Sequence, residues 1–150
     1  MKHFDNPDMM DSILTQICHL HHSRAHQLLE GLGLYRGQPP VLSALWEQEG
    51  LTQKELAEKL QNTAATITKM LQRMEKAGFI LRKPDEKDQR ITRVYLTYAG
   101  RSVKGEVEAV WKQMEKETFL NFSGQELKVL RGYMLRMRAN LLRFEEGESV

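Results

Sequence analysis

Between positions 63 and 73 the chain gathers side chains suited to touching a nucleic-acid duplex: Thr63, Ala65, Thr66, Thr68, Lys69, Gln72 and Arg73. They are small, hydroxyl-bearing, amide or basic. On one helix face, the small ones permit close approach to a major groove and the polar ones can bond to base edges and phosphates. A second group is Lys87, Asp88 and Arg90, inside a stretch from Arg82 to Arg93 that holds five basic and three acidic residues. An arginine at the tip of a hairpin can enter a minor groove, where narrow A·T tracts concentrate negative potential. Asp88 is placed to brace Arg90 or nearby backbone through a charge-assisted hydrogen bond. A third group is Cys18, His22 and His26, each about one helical turn from the next. Neighbouring pairs could clamp a metal, but three ligands from one helix are strained, so a second element would have to complete the site. No resident metal or other cofactor is expected. The chain has no Gly-x-Ser-x-Gly, Gly-x-x-x-x-Gly-Lys, His-Glu-x-x-His or Cys-x-x-Cys motif, and pairs such as Glu106 and Glu108 sit among lysines as helix-surface charge. An enzyme is not expected.

The elements that must position these groups are legible from spacing. Thr52-Gln53-Lys54-Glu55 has the form of a capping box, a hydroxyl at the cap and a carboxylate three residues on. Leu56, Ala57 and Leu60 give that short helix an apolar face. Gln61-Asn62-Thr63 ends it, and Thr63 can cap the next helix. There Ile67, Met70, Leu71 and Met74 recur at helical spacing, which makes one face core and leaves the other free. Gly78 suits the left-handed position that ends a helix. Phe79-Ile80-Leu81 and Val94-Tyr95-Leu96 read as strands, with Pro84-Asp85 turning the chain between them. Helices are expected on both flanks: from about Asp8 to Glu30, then one carrying Val41, Leu42, Leu45 and Trp46 after the glycines and prolines of 31–40. A single long helix is expected to begin at Thr97 and stop at Asn121-Phe122-Ser123. Ser123-Gly124-Gln125-Glu126 is a second capping box, and in the helix it opens Leu127, Leu130, Met134, Met137, Leu141 and Phe144 form a seam that calls for a partner, either the chain's own first or fifth helix or a second copy.

With these residues in place, the chain resembles the MarR (multiple antibiotic resistance regulator) family of winged helix-turn-helix proteins. Leu51-Thr52-Gln53-Lys54-Glu55-Leu56-Ala57 and Met74-Glu75-Lys76-Ala77-Gly78-Phe79-Ile80-Leu81-Arg82 carry the resemblance. The most specific part is Asp88-Gln89-Arg90, followed at the family's spacing by Leu96-Thr97 and then Gly100. Met74 stands where the family more often has leucine, a volume-conserving change. The resemblance covers nearly the whole chain. It implies a mainly α fold with a small antiparallel β-hairpin: a winged helix-turn-helix at 37–97, flanked by helical dimerisation regions at 8–36 and 98–146. It also implies a homodimer, to which Leu14, Ile17, Leu130, Met134, Met137 and Leu141 would contribute. A small-molecule effector pocket is implied between those helices and the winged region, with Tyr35, Trp46, Met70, Trp111 and Met114 as candidate lining, although a place in the core is the plainer expectation for any one of them. Some relatives sense peroxides through a lone cysteine in the first helix. Their pattern has tyrosine four residues after it, where this chain has His22, so a partly buried, inert Cys18 is the plainer expectation.

Composition sets the remaining bounds. The chain has 150 residues, 41% hydrophobic and 28% charged, which fits one ordinary globular domain. Net charge is only +2, but residues 63–93 hold eight Lys/Arg against four Asp/Glu, leaving −2 for the remainder. That asymmetry points to an anionic partner at the 63–93 surface. A single cysteine excludes an intramolecular disulfide and fits a reducing compartment. The N-terminus has no apolar core of a signal peptide, and no apolar run is long enough to span a membrane; a cytoplasmic protein is expected. The expected function is a dimeric, sequence-specific, double-stranded DNA-binding transcription regulator, a ligand-responsive repressor on a palindromic operator. The alternatives are a redox- or metal-responsive regulator acting through Cys18 and the histidines, and a helical protein-interaction adaptor. An adaptor would show no steep salt dependence of duplex binding.

Overall fold

The computed structural model describes residues 9–35 and 37–145. Asp8, and the boundary residues 36 and 146, lie outside the described residues. The chain divides after Met114 into two units, each described by itself below.

The first unit opens with α1 (Met10–Glu30), which buries Ser12, Ala25 and Leu29. Leu14 and Ile17, expected to contribute to a dimer, are exposed and lie outside this unit's core. Gly33, with φ +72, turns the chain to the fully buried Leu34. In α2 (Gln38–Glu47), Pro39 and Pro40 occupy the first turn, where a missing N–H costs nothing. Val41, Leu42, Ala44 and Leu45 are buried below them. Then follow β1 (Leu51–Thr52), α3 (Gln53–Lys59), α4 (Ala64–Lys76), β2 (Ile80–Pro84), β3 (Thr92–Leu96), α5 (Tyr98–Ser102) and the part of α6 (Lys104–Thr118) up to Met114.

The hairpin gains a third strand, β1, that no spacing in the sequence announces. The sheet order is β1-β3-β2, antiparallel throughout, with Leu51 opposite Val94 and Ile80 opposite Leu96. A two-residue strand leaves no period to read in sequence; β1 exists because β3 offers it an edge. The helix expected to run unbroken from Thr97 is also corrected. It breaks at Val103, which closes α5 with its N–H on Ala99 O and sinks its side chain into the core.

Leu96, Thr97 and Gly100 together form a staple. Leu96 is buried in the core. Thr97 caps α5 by accepting from Gly100 N at 3.1 Å, and its hydroxyl donates to Gly78 O. Its own N–H donates to Phe79 O at 3.0 Å. A Cβ on Gly100 would lie 2.0 Å from Phe79 O, so only glycine admits this approach of α5 to the start of the hairpin. From the other side, the Trp46 indole N–H donates to Gly100 O at 2.9 Å.

In the second unit, Asn121 takes φ +68 at the turn before α7 (Gly124–Glu145). Ser123 and Glu126 make the expected reciprocal cap, with Ser123 N to Glu126 Oε2 at 2.7 Å and Glu126 N to Ser123 Oγ at 3.3 Å. No described side chain of α7 is buried. Leu130 is half-buried, and Val129, Met134, Met137, Leu141 and Phe144 are exposed.

Gly100→Ala should cost about 3 kcal/mol or more of stability, because the atom that its methyl meets is backbone and the strand or α5 must move. Thermal denaturation of the two proteins measures this; equal midpoints would show that the staple yields freely.

Candidate nucleic-acid interface

The site is built on α4. Thr63 caps it, accepting from Thr66 N at 3.2 Å, and the Thr63 and Thr66 hydroxyls are 2.8 Å apart. Ile67, Leu71 and Met74 are fully buried. With that stripe inward, Ala65, Thr66, Lys69, Gln72 and Arg73 are exposed and Thr68 is half-buried. The side chains of Lys69, Gln72 and Arg73 have no hydrogen bond or ion pair among the described residues. Thr68 is different: its hydroxyl donates to Ala64 O at 2.8 Å, so what it has left to offer is acceptor capacity. Upstream, α3 carries the expected capping box, Glu55 N to Thr52 Oγ1 at 3.1 Å and Thr52 N to Glu55 Oε2 at 2.7 Å.

The wing is an ordered loop. Asp85 Oδ1 accepts from Lys87 N and Asp88 N, both at 2.9 Å, while Asp85 N and Ile91 O close the loop at 2.8 Å. Asp88 Oδ1 accepts from Arg90 N at 3.0 Å and so braces the Arg90 backbone. The Lys87 and Arg90 side chains are exposed and unpartnered among the described residues. A cleft of about 290 Å³ separates this wing from the first turn of α3, lined by Thr52, Gln53, Lys54, Arg90, Ile91 and Thr92.

Two arginines counted in the basic segment are spent inside the protein. Arg82 donates to Glu75 from its backbone N at 3.0 Å, from Nε at 3.1 Å and from Nη2 at 2.7 Å, and reaches Gln53 Oε1 at 3.5 Å. It thereby ties α4, the base of the wing and α3 together, and its side-chain hydrogen bonds hold the Glu75 carboxyl below its usual range. Arg93 donates from Nε to Asp85 and from Nη1 to Gly50 O at 2.7 Å. No local signal marks these pairs, which depend on hairpin register and on the placement of α3. Registering the two strands would have brought Arg93 within reach of Asp85.

The other candidate residues are scattered. Trp46 and Met70 are half-buried against the core and Met114 is within it, whereas Tyr35 and Trp111 are exposed. Cys18 is exposed rather than partly buried, because the first unit draws α1 inward through Ala25 and Leu29 and leaves the Cys18 turn facing out. His22 is exposed, and among the described residues no three His, Cys, Asp or Glu side chains converge on a point that could hold a metal. No helix of the described residues is long and apolar enough to cross a membrane.

A family model described as MarR family matches residues 34–92. The chain is 31% identical to the organic hydroperoxide resistance transcriptional regulator of Bacillus subtilis (strain 168), over 85% of this chain and 90% of that one. It is 34% identical to the HTH-type transcriptional regulator TtmR of Methylorubrum extorquens (strain PA1) over 71% of this chain, but spans only 56% of that relative's length. Among solved structures it is similar to the S. aureus MepR–DNA complex, with a TM-score of 0.71 at 25% identity, over 91% of this chain and 99% of MepR.

The wing's order should respond to acid in a defined window. The Arg93 hydrogen bond, with those from the Asp88 and Lys87 amides, lowers the Asp85 carboxyl from 3.8 to about 2. A carboxylate depressed in the folded state stabilises fully above its unfolded value and loses that contribution as pH falls through its folded value. Carboxyl chemical shifts should therefore place the Asp85 midpoint near 2. A midpoint at 3.8 would mean that the brace does not hold in solution.

Proposed function

Because the chain belongs to the MarR family of transcriptional regulators, we propose that it is a homodimer that binds double-stranded DNA sequence-specifically and represses the promoters it covers. The observation that carries this is the free face of α4. Three buried side chains fix its rotation, and Lys69, Gln72 and Arg73 are left with no partner among the described residues. MepR, of similar fold, is known in complex with DNA. In this reading α4 lies in a major groove with Ala65 and Thr66 against base edges. Thr68, its hydroxyl proton committed to Ala64, accepts from a cytosine or adenine amino group, and Lys69 donates to guanine. Gln72 and Arg73 lie nearer phosphate. Arg90 enters the adjoining minor groove, and the strand between the grooves passes over the cleft beside Lys54, with Lys87 near its edge.

The exposed apolar residues of α1 and α7, among them Ile17, Met134 and Leu141, supply surface for a second copy to cover. A two-fold pair would read a palindrome with half-sites about 10 bp apart, and occlusion of a promoter follows most simply as repression. A small-molecule effector would release the DNA by changing the separation of the two α4 helices; Tyr35 and Trp111 keep aromatic surface available for one.

Lys69→Ala tests the docking. It should weaken binding to a duplex selected by the wild type by about 1–3 kcal/mol and relax specificity at one position per half-site. If every exposed residue from Thr63 to Arg73 tolerates alanine without loss, or if affinity ignores salt, α4 is not the reading element and the adaptor alternative gains.

A second reading concerns the signal. Cys18 is exposed on α1, and a relative over most of the chain is an organic hydroperoxide resistance regulator. A hydroperoxide would transfer one oxygen to the Cys18 thiolate, leaving a sulfenic acid and the corresponding alcohol. A small thiol or the cysteine of a second copy would then condense with it, releasing water. Hydroperoxide should abolish duplex binding, thiol reductant should restore it, and Cys18→Ser should bind regardless. Affinity unchanged by peroxide but lowered by an aromatic small molecule would favour the effector reading instead.

A further inference from the structure

Arg93 closes the basic segment that begins at Arg82, three residues beyond Arg90, and composition alone would assign it to DNA. The geometry assigns it elsewhere. Its guanidinium spans from Asp85 in the wing loop to the carbonyl of Gly50, in the turn just before β1 and α3, with Nη1 to Gly50 O at 2.7 Å. Asp85 in turn uses its other oxygen to hold the amides of Lys87 and Asp88, the residues that lead to Arg90. The register also sets Lys83 directly opposite Arg93. Like charges in that relation repel unless one is neutralised, and Asp85 neutralises Arg93. Glu55, in the first turn of α3, adds to the attraction that holds the guanidinium in place.

We propose that Arg93 is a positioning residue for DNA recognition: with Asp85 it fixes the wing against the Gly50 turn, and so sets where Arg90 meets the minor groove without touching DNA itself. This builds on the wing's DNA-binding role proposed above. A planar guanidinium presents two donors in fixed directions and can hold both acceptors at once; a lysine ammonium in its place keeps the charge but not the fork. A wing ordered before binding loses less conformational freedom when DNA arrives, which favours affinity.

The test uses the full chain and a duplex selected by the wild type from a randomised pool. Arg93→Ala and Arg93→Lys should each weaken binding roughly tenfold, the scale expected when a preorganised contact is let loose. In an Arg90→Ala background the same changes should cost little, because the side chain they position is gone. Asp85→Ala should also weaken binding, although it removes a negative charge from the DNA-facing side. Circular dichroism verifies that each variant is folded; Asp85→Ala, which alters only the loop end of the bridge, serves should Arg93→Ala fail that check. If Arg93 contacts phosphate directly, freeing it by Asp85→Ala should tighten binding, Arg93→Lys should bind like wild type, and the Arg93 and Arg90 losses should add. Any of these results overturns the assignment. An Arg90→Ala variant that binds like wild type would refute the DNA-binding role of the wing itself, which is a separate failure.

Discussion

A helix can offer one face to a DNA groove only if the opposite face fixes its rotation, and in α4 that hold is Ile67, Leu71 and Met74. All three are fully buried, each contributing on the order of 1.5–3 kcal/mol through removal of apolar surface from water. Their spacing leaves no freedom in the roll of the helix, so the outward direction of Lys69, Gln72 and Arg73 follows from packing. The Thr63 cap sets where the helix begins and therefore which residues form its leading turn.

Polar contacts then fix the surrounding elements to that helix. Arg82 joins α4, β2 and α3 through Glu75 and Gln53. Arg93 joins the wing loop to the turn at Gly50. The Leu96-Thr97-Gly100 staple closes the hairpin base against α5 and Trp46. The family's wing signature therefore contains two kinds of residue. Arg90 is free for a ligand, while Asp88, Leu96, Thr97 and Gly100 hold the frame. The basic excess in 63–93 divides the same way: Arg82 and Arg93 are engaged within the protein, Lys83 lies over the Tyr95 ring, and Lys69, Arg73, Lys76, Lys87 and Arg90 are exposed.

What the sequence made legible was local and periodic. The α4 stripe, the capping boxes at Thr52 and Ser123, and the existence of the hairpin all follow from spacings within a few residues, although Pro84, read as part of the turn, ends β2 opposite Thr92 and the loop begins only at Asp85. What it hid depends on partners far along the chain. The pairing of β1 with β3 needs an edge more than forty residues away in sequence. The break at Val103 is set by burial rather than by a helix breaker. The arginine bridges emerge only after the strands are in register. For α1, the sequence could not say whether Leu14 and Ile17 meet this chain or another, and they prove exposed. The same ambiguity applied to Cys18, whose exposure is set by which face of α1 the first unit draws inward.

In the proposed function, two copies of α4 and its wing read one duplex. Chemical footprinting of the purified protein on a genomic fragment that it selects tests this most directly. Two major-groove protections about 10 bp apart are expected, related by a palindrome, each flanked by a minor-groove protection from the wing. A single isolated protection, or none with affinity indifferent to salt, would contradict it.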